Sequence, residues 1–136
     1  MTRINVIPPY ELADQWLIAE YRELPRVIKQ NISTIDAPKQ YCLGKGHVKW
    51  AKKHSFWLIL RYLDITQEML KRGFKVNFSY DALYQVYESG IKEEENNNDY
   101  IPNLLDITVN RLRLIEKYKQ KPDFYKWTNT VKPNYL

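Results

Sequence analysis

The chain has 136 residues, 44% hydrophobic and 27% charged, with 21 Lys and Arg against 16 Asp and Glu. That size suits one domain built on one core, and a pI of about 9.2 favours polyanionic partners over acidic ones. One Cys and two His exclude an internal disulfide and make a poor zinc set, and no apolar run approaches the length of a membrane span.

The N-terminus reads Met1-Thr2-Arg3-Ile4-Asn5. It lacks the apolar core of a signal peptide, so an intracellular, non-secreted protein is expected. Thr2 is small, which permits removal of Met1 and leaves a free amine beside Arg3. An α-amino group titrates near ~7.7–8.0 against ~10.4 for lysine, so near pH 7.5 roughly a third of it is neutral, against roughly 0.1% of a lysine. Such an amine is a candidate Schiff-base former at neutral pH, although every chain has an N-terminus and most are inert.

Glu11 to Lys29 is predicted as the first helix. At ~100° per residue, Ala13, Leu17, Tyr21, Leu24 and Ile28 share one apolar stripe, and Gln15, Ala19, Arg22, Glu23 and Arg26 lie opposite. An ordinary solvated face has the same look. Two details weigh against it. Arg22 and Arg26 are four apart and can address one ligand, with a guanidinium geometry suited to phosphate. Glu23 between them repels the same phosphates unless it has chemistry to perform. Pro25 removes the amide that would bond the Tyr21 carbonyl, so a kink is expected. Glu20 falls in the apolar stripe and is read as a structural acid paired with an Arg or Lys.

Residues 33–45 carry Ser, Thr, Asp, Pro and Gly and are predicted as a long connection. Gly44-Lys45-Gly46-His47 either is a plain loop or brings backbone amides and Lys45 to a phosphate. From about His54 an apolar-rich stretch runs through Phe56, Ile59, Leu60, Leu63, Met69 and Leu70 to a stop at Gly73, with Lys71 and Arg72 at the negative end of the dipole. Cys42 is expected as a buried small hydrophobe. Asp81 to Ser89 fits a short helix, and residues 93–98 a polar loop, mobile and too acidic for DNA. Asn103 can cap a helix to about Gln120, with Leu104, Ile107, Leu112 or Arg111, and Ile115 near its buried side. On it, Arg113, Lys117 and Lys121 form one basic stripe, either a solvated face or a phosphate contact. Phe124-Tyr125-Lys126-Trp127 interleaves aromatics with a cation, as core or as a nucleic-acid contact. The fold class expected is all-α, a compact single domain over residues 1–136 with three main helices and long connecting loops.

Blocks along the chain carry a resemblance. Thr2-Arg3-Ile4-Asn5, Glu11-Leu12-Ala13-Asp14-Gln15 and Ala19-Glu20-Tyr21-Arg22-Glu23-Leu24-Pro25-Arg26-Val27 come first. Leu43-Gly44 with Gly46-His47-Val48, Leu70-Lys71-Arg72-Gly73-Phe74, Asp99-Tyr100-Ile101-Pro102, Arg113-Leu114, Glu116-Lys117, and Pro122 with Tyr125-Lys126 follow in order. Together they resemble the T4 endonuclease V family of pyrimidine-dimer DNA glycosylases over almost the whole chain, with different lengths before Tyr41 and between Phe74 and Asp99. Phe124 and Trp127 depart from the phage T4 member, which has Trp and Tyr there, and this bears on lesion preference more than on catalysis.

The resemblance implies an all-α enzyme of DNA repair. It is a bifunctional glycosylase and abasic-site lyase for cyclobutane pyrimidine dimers, acting on damaged double-stranded DNA as a monomer without metal or organic cofactor. It implies catalytic roles for the Thr2 amine and Glu23. It implies DNA contacts for Arg3, Gln15, Arg22, Arg26, His47, Arg113, Lys117, Tyr125 and Lys126. A glycosylase/lyase for other lesions, such as ring-opened purines, is the alternative within enzymes. A non-catalytic DNA-binding protein is the other, though a mere binder gains nothing from Glu23.

Overall fold

Pro8 and Pro9 open the first ordered turn, because a proline there forfeits an amide that a helix start leaves unbonded anyway. In the computed structural model, which describes residues 3–77, 80–90 and 94–136, this turn is a 3-10 turn over Pro9–Glu11. Five helices follow: α1 (Asp14–Lys29), α2 (His47–Lys53), α3 (Ser55–Lys71), α4 (Tyr80–Gly90) and α5 (Leu104–Gln120). A second 3-10 turn spans Glu94–Asn96. The domain is all-α, and among the described residues the only extended pairing is a single bridge between His54 and Asn97. Among the described residues α1, α3 and α5 are the longest helices, and α2 and α4 are shorter. No helix among the described residues is long and apolar enough to cross a membrane.

The first helix starts at Asp14, not at Glu11, because Leu12 is extended between the 3-10 turn and α1. From there α1 continues through Pro25 to Lys29. Its apolar side packs on α3, with α4 and α2 against it as well. Ala13, Leu17, Leu24 and Ile28 join Leu58, Ile65 and Met69 in the core. Glu20 is fully buried and takes the Arg61 guanidinium at 2.7 Å and the Asn5 amide at 2.8 Å. It is the structural acid expected. Removing one partner of such a buried pair costs about 3–5 kcal/mol, since the other charge is stranded.

That pair sets how α3 faces. Arg61 is buried with Trp57, Leu58, Tyr62 and Ile65, so the helix turns Phe56, Leu60 and Leu70 outward. Gly73, at φ +90°, ends α3 as expected. Arg72 beside it is buried and binds Glu68, Asp14 and the Pro9 carbonyl. It is a hub, not a helix-end cation.

Helix α5 begins as expected, with the Asn103 side chain accepting from the Asp106 amide. Its buried side differs: Asp106, Asn110 and Leu114 are buried, whereas Leu104 and Leu112 are 79% and 59% exposed. Arg111, not Leu112, turns inward, and it pairs with the buried Glu11 at 2.7 Å. The 94–98 part of the predicted mobile loop is bonded down. Asn96 is buried against Thr34, and Asn98 donates to the Lys53 carbonyl and accepts from the Trp57 amide.

Candidate active site

Thr2, the expected nucleophile, lies outside the described residues, so its neighbours carry the geometry. Residues 3–6 belong to no helix or strand, and side chains from three places hold this segment. The Tyr41 hydroxyl donates to the Ile4 carbonyl at 2.9 Å, the Ile4 amide donates to His47 Nε2 at 2.9 Å, and the Val6 amide donates to Asn110 Oδ1 at 2.6 Å. Asn5 links Glu20 on α1 to Asn110 on α5. The chain next to Thr2 is therefore clamped on both sides of its backbone.

Arg3 sits where the elements meet. Its Nε donates to the Leu43 carbonyl at 2.6 Å, and its buried Nη1 finds no acceptor. It lines two hollows. One, about 700 Å³, is bordered by Gln30, Ile32, Asp36, Pro38 and residues 44–49. The other, about 290 Å³, is lined by Arg3, Asn5, Trp16, Ala19, Arg113, Leu114 and Lys117. Burial lowers the proton affinities of Arg113 and Lys117, and mutual repulsion among these cations lowers them further. Among the described residues no acidic side chain lines this smaller hollow. It is a cationic cavity built for an anion.

On α1, Trp16, Ala19 and Glu23 step along one face at helical spacing. Ala19 leaves room for the cavity, and Glu23 lies one turn further on. Its side chain is only 12% exposed and is held through both oxygens by Arg26, at 2.8 and 3.2 Å. Arg26 and Arg22 are exposed. The charges of Arg3, Arg113 and Glu23 all reach the His47 ring. Arg3 thus joins the N-terminal segment to the cationic cavity.

A family model for pyrimidine dimer DNA glycosylases matches residues 1–82. The chain belongs to the pyrimidine dimer DNA glycosylase family. The matched region holds Thr2, Arg3, Gln15, Arg22, Glu23, Arg26 and His47. Arg113, Lys117, Tyr125 and Lys126 lie beyond it, and the fold brings the first two to Arg3. A family of this kind acts on damaged DNA.

Two site residues expected to touch DNA are otherwise engaged in this family member. His47 is buried, its Nδ1–H donating to the Cys42 carbonyl at 2.6 Å while Nε2 accepts from Ile4. These bonds assign the neutral Nδ1–H tautomer. Burial pushes its pKa down to about 4, with Arg3 and Arg113 adding to the fall. Gln15 spends its amide on the tail, donating to the Phe124 carbonyl and accepting from the Lys126 amide. It thereby holds the aromatic segment.

The remaining expectations divide. Tyr125 is half-buried and packs its ring 4.5 Å from that of Trp16, whereas the Lys126 side chain is exposed. Lys121 lies past the end of α5, over the Phe124 ring, and so leaves the stripe of Arg113 and Lys117. In the Gly44–His47 loop the left-handed residue is Gly46, at φ +92°, and a Cβ there would meet Pro38 Cγ at 2.7 Å. That glycine is required by the turn that starts α2. Cys42 is half-buried, not buried.

Sequence reasoning missed Trp16, Asn5 and Asn110. The only available signal for Trp16 was its spacing from Ala19 and Glu23. Asn5 and Asn110 had none, since their pairing joins the two ends of the chain.

Proposed function

We propose that this protein is a bifunctional glycosylase and abasic-site lyase for cyclobutane pyrimidine dimers. The observation that carries the proposal is the position of Arg3, the residue following the candidate amine, in the lining of the cationic cavity. Family membership supplies the substrate class.

In this mechanism Met1 is removed and the neutral Thr2 amine attacks C1′ of the damaged nucleotide's sugar. The bond from C1′ to the base breaks, and the base leaves with the electron pair, still joined to its dimer partner. Opening of the sugar then gives an iminium between C1′ and the Thr2 nitrogen. Loss of a C2′ proton to a base returns electrons toward that nitrogen and expels the 3′ phosphate, which nicks the strand. Glu23 offsets the positive charge that develops on the sugar and the iminium and takes part in the proton transfers. Arg3, Arg113 and Lys117 hold a phosphate beside the reacting sugar, and Arg22 and Arg26 reach the backbone further along. Tyr125 and Lys126 border the lesion. His47 and Gln15 act through position: the first fixes the segment that carries Thr2, the second the tail that carries Tyr125.

The test is borohydride trapping on a duplex with a single abasic site. The expected result is a covalent adduct whose modified peptide begins at Thr2, lost when the N-terminus is acetylated and retained in EDTA. An adduct on Lys45 or Lys49 would overturn the assignment. A dimer-containing duplex then separates glycosylase from lyase, since only the former requires release of the base.

A further inference from the structure

We propose that Trp16 is a substrate contact, its indole N–H donating to an oxygen of the phosphodiester held by Arg3, Arg113 and Lys117. The inference rests on the reading that this cavity receives a DNA phosphate, and it adds a residue that the family's basic contacts do not include.

A buried indole N–H nearly always finds an acceptor. Trp16 is 7% exposed, yet its Nε1 has none. The ring cannot turn away to find one, because Tyr125 packs on it at 4.5 Å and Trp127 meets it edge-on at 6.0 Å. Trp127 itself is satisfied, donating to the Glu11 carbonyl at 3.0 Å.

The second orphaned donor, Arg3 Nη1, belongs to a residue lining the same hollow. Among the described lining residues only Asn5 has a side-chain acceptor oxygen, and that oxygen is taken by Asn110 Nδ2. The lining is thus donors and cations, and the group that satisfies it presents acceptors alone. A phosphodiester does so through its two non-bridging oxygens. A base would bring N–H groups of its own.

Trp50 shows that an orphaned indole is not by itself a site. Its Nε1 also lacks an acceptor, but its ring is packed among Tyr41, His54, Trp57 and Tyr100, with no cation there to share a ligand. What distinguishes Trp16 is the company of Arg3, Arg113 and Lys117. As a neutral donor it releases no counterion, so it contributes to affinity and phosphate orientation without contributing to salt dependence.

The full-length protein, labelled with ¹⁵N, is titrated with a duplex carrying a tetrahydrofuran abasic analogue. Among its four tryptophans the Trp16 indole is assigned by its proximity to the Tyr125 ring. Its N–H resonance should move downfield at saturation and exchange more slowly with solvent. In parallel, Trp16→Phe should weaken binding roughly tenfold at fixed salt, as loss of one hydrogen bond to a charged acceptor does, with an unchanged salt slope. Arg113→Ala should weaken binding and flatten the slope.

A Trp16 resonance that stays put at saturation overturns the proposal, and this holds on wild-type protein even if Trp16→Phe fails to fold. Loss in Arg113→Ala with wild-type affinity in Trp16→Phe overturns the Trp16 contact alone. An unchanged salt slope in Arg113→Ala overturns the phosphate cavity beneath it. Dimer cleavage, measured separately, decides the enzymatic reading whichever way the binding falls.

Discussion

Glu23 and His47 show how single residues divide the labour of the site. Glu23 is tied to Arg26 and largely screened from solvent, so its charge is placed, not free. Glu23→Gln keeps its shape and removes the charge that a sugar cation needs. Single-turnover cleavage of a dimer duplex should fall by about 10²–10³-fold, the scale seen when one electrostatic stabiliser is removed. Affinity for the same duplex should hold or rise, because Arg26 is released and one repulsion with phosphate disappears. Turnover within a few-fold of wild type would reduce Glu23 to a surface acid. His47 makes a prediction in stability. Its pKa falls from 6.5 in the unfolded chain to about 4 in the fold, so the unfolded state binds the proton first. Its contribution is whole above about pH 6.5, is lost as pH falls toward 4, and amounts to about 3 kcal/mol. Protonation also removes the acceptor for the Ile4 amide. Urea midpoints measured from pH 7 to 4 should drop more steeply for wild type than for His47→Gln. Equal slopes would show that the ring does not titrate in this range.

At the scale of elements, α5 supplies the cations and the Gly44–His47 turn supplies the clamp. Arg113 and Lys117 stand one turn apart on the cavity side of α5. Alanine at either position should weaken binding to damaged and undamaged duplexes alike and make log K against log salt shallower by about one unit. An unchanged slope would remove that residue from the interface. Gly46→Ala puts a methyl group into Pro38 and an L-residue at φ +92°. It should lower stability by about 2 kcal/mol or more in chemical denaturation. A loss no larger than that of Gly44→Ala, where a Cβ meets nothing within 4 Å, would refute the constraint. Periodicity made α1 and α5 legible, Asn103 announced the start of α5, and Gly73 the end of α3. Periodicity did not give the face of α3, because a buried Arg61 counts as polar in any pattern, although Glu20 neutralises it. It missed α2 because seven residues hold barely two turns of pattern, and the glycines before them look like loop. Lys121 seemed to extend the stripe only because the sequence does not state where a helix stops turning.

For the whole molecule, the site is assembled from the N-terminal segment, α1 and α5, and such closure is what a linear reading cannot supply. Val6 and Asn110 are 104 residues apart and share a 2.6 Å hydrogen bond. The tail beyond α5 is latched the same way: Thr128 donates to both oxygens of Asp14, and the Tyr135 hydroxyl to Glu11. Gln15 then fixes the backbone on either side of Tyr125. The aromatic edge of Trp16, Phe124, Tyr125 and Trp127 is therefore rigid, and Phe124 is its exposed member. In the proposed mechanism its side chains bear on which lesion is accommodated, whereas Thr2 and Glu23 carry out the chemistry once a sugar is in place. A duplex with one cis-syn thymine dimer should accordingly be nicked much faster than one with 8-oxoguanine or a ring-opened purine. Restoring Phe124→Trp and Trp127→Tyr together should shift the ratio between lesion substrates while leaving the rate on a plain abasic site within a few-fold. A change confined to the abasic-site rate would place the edge in the chemistry instead. Equal rates on every lesion duplex, with strong cleavage of plain abasic sites, would make the protein a general abasic-site lyase that its aromatic edge does not direct.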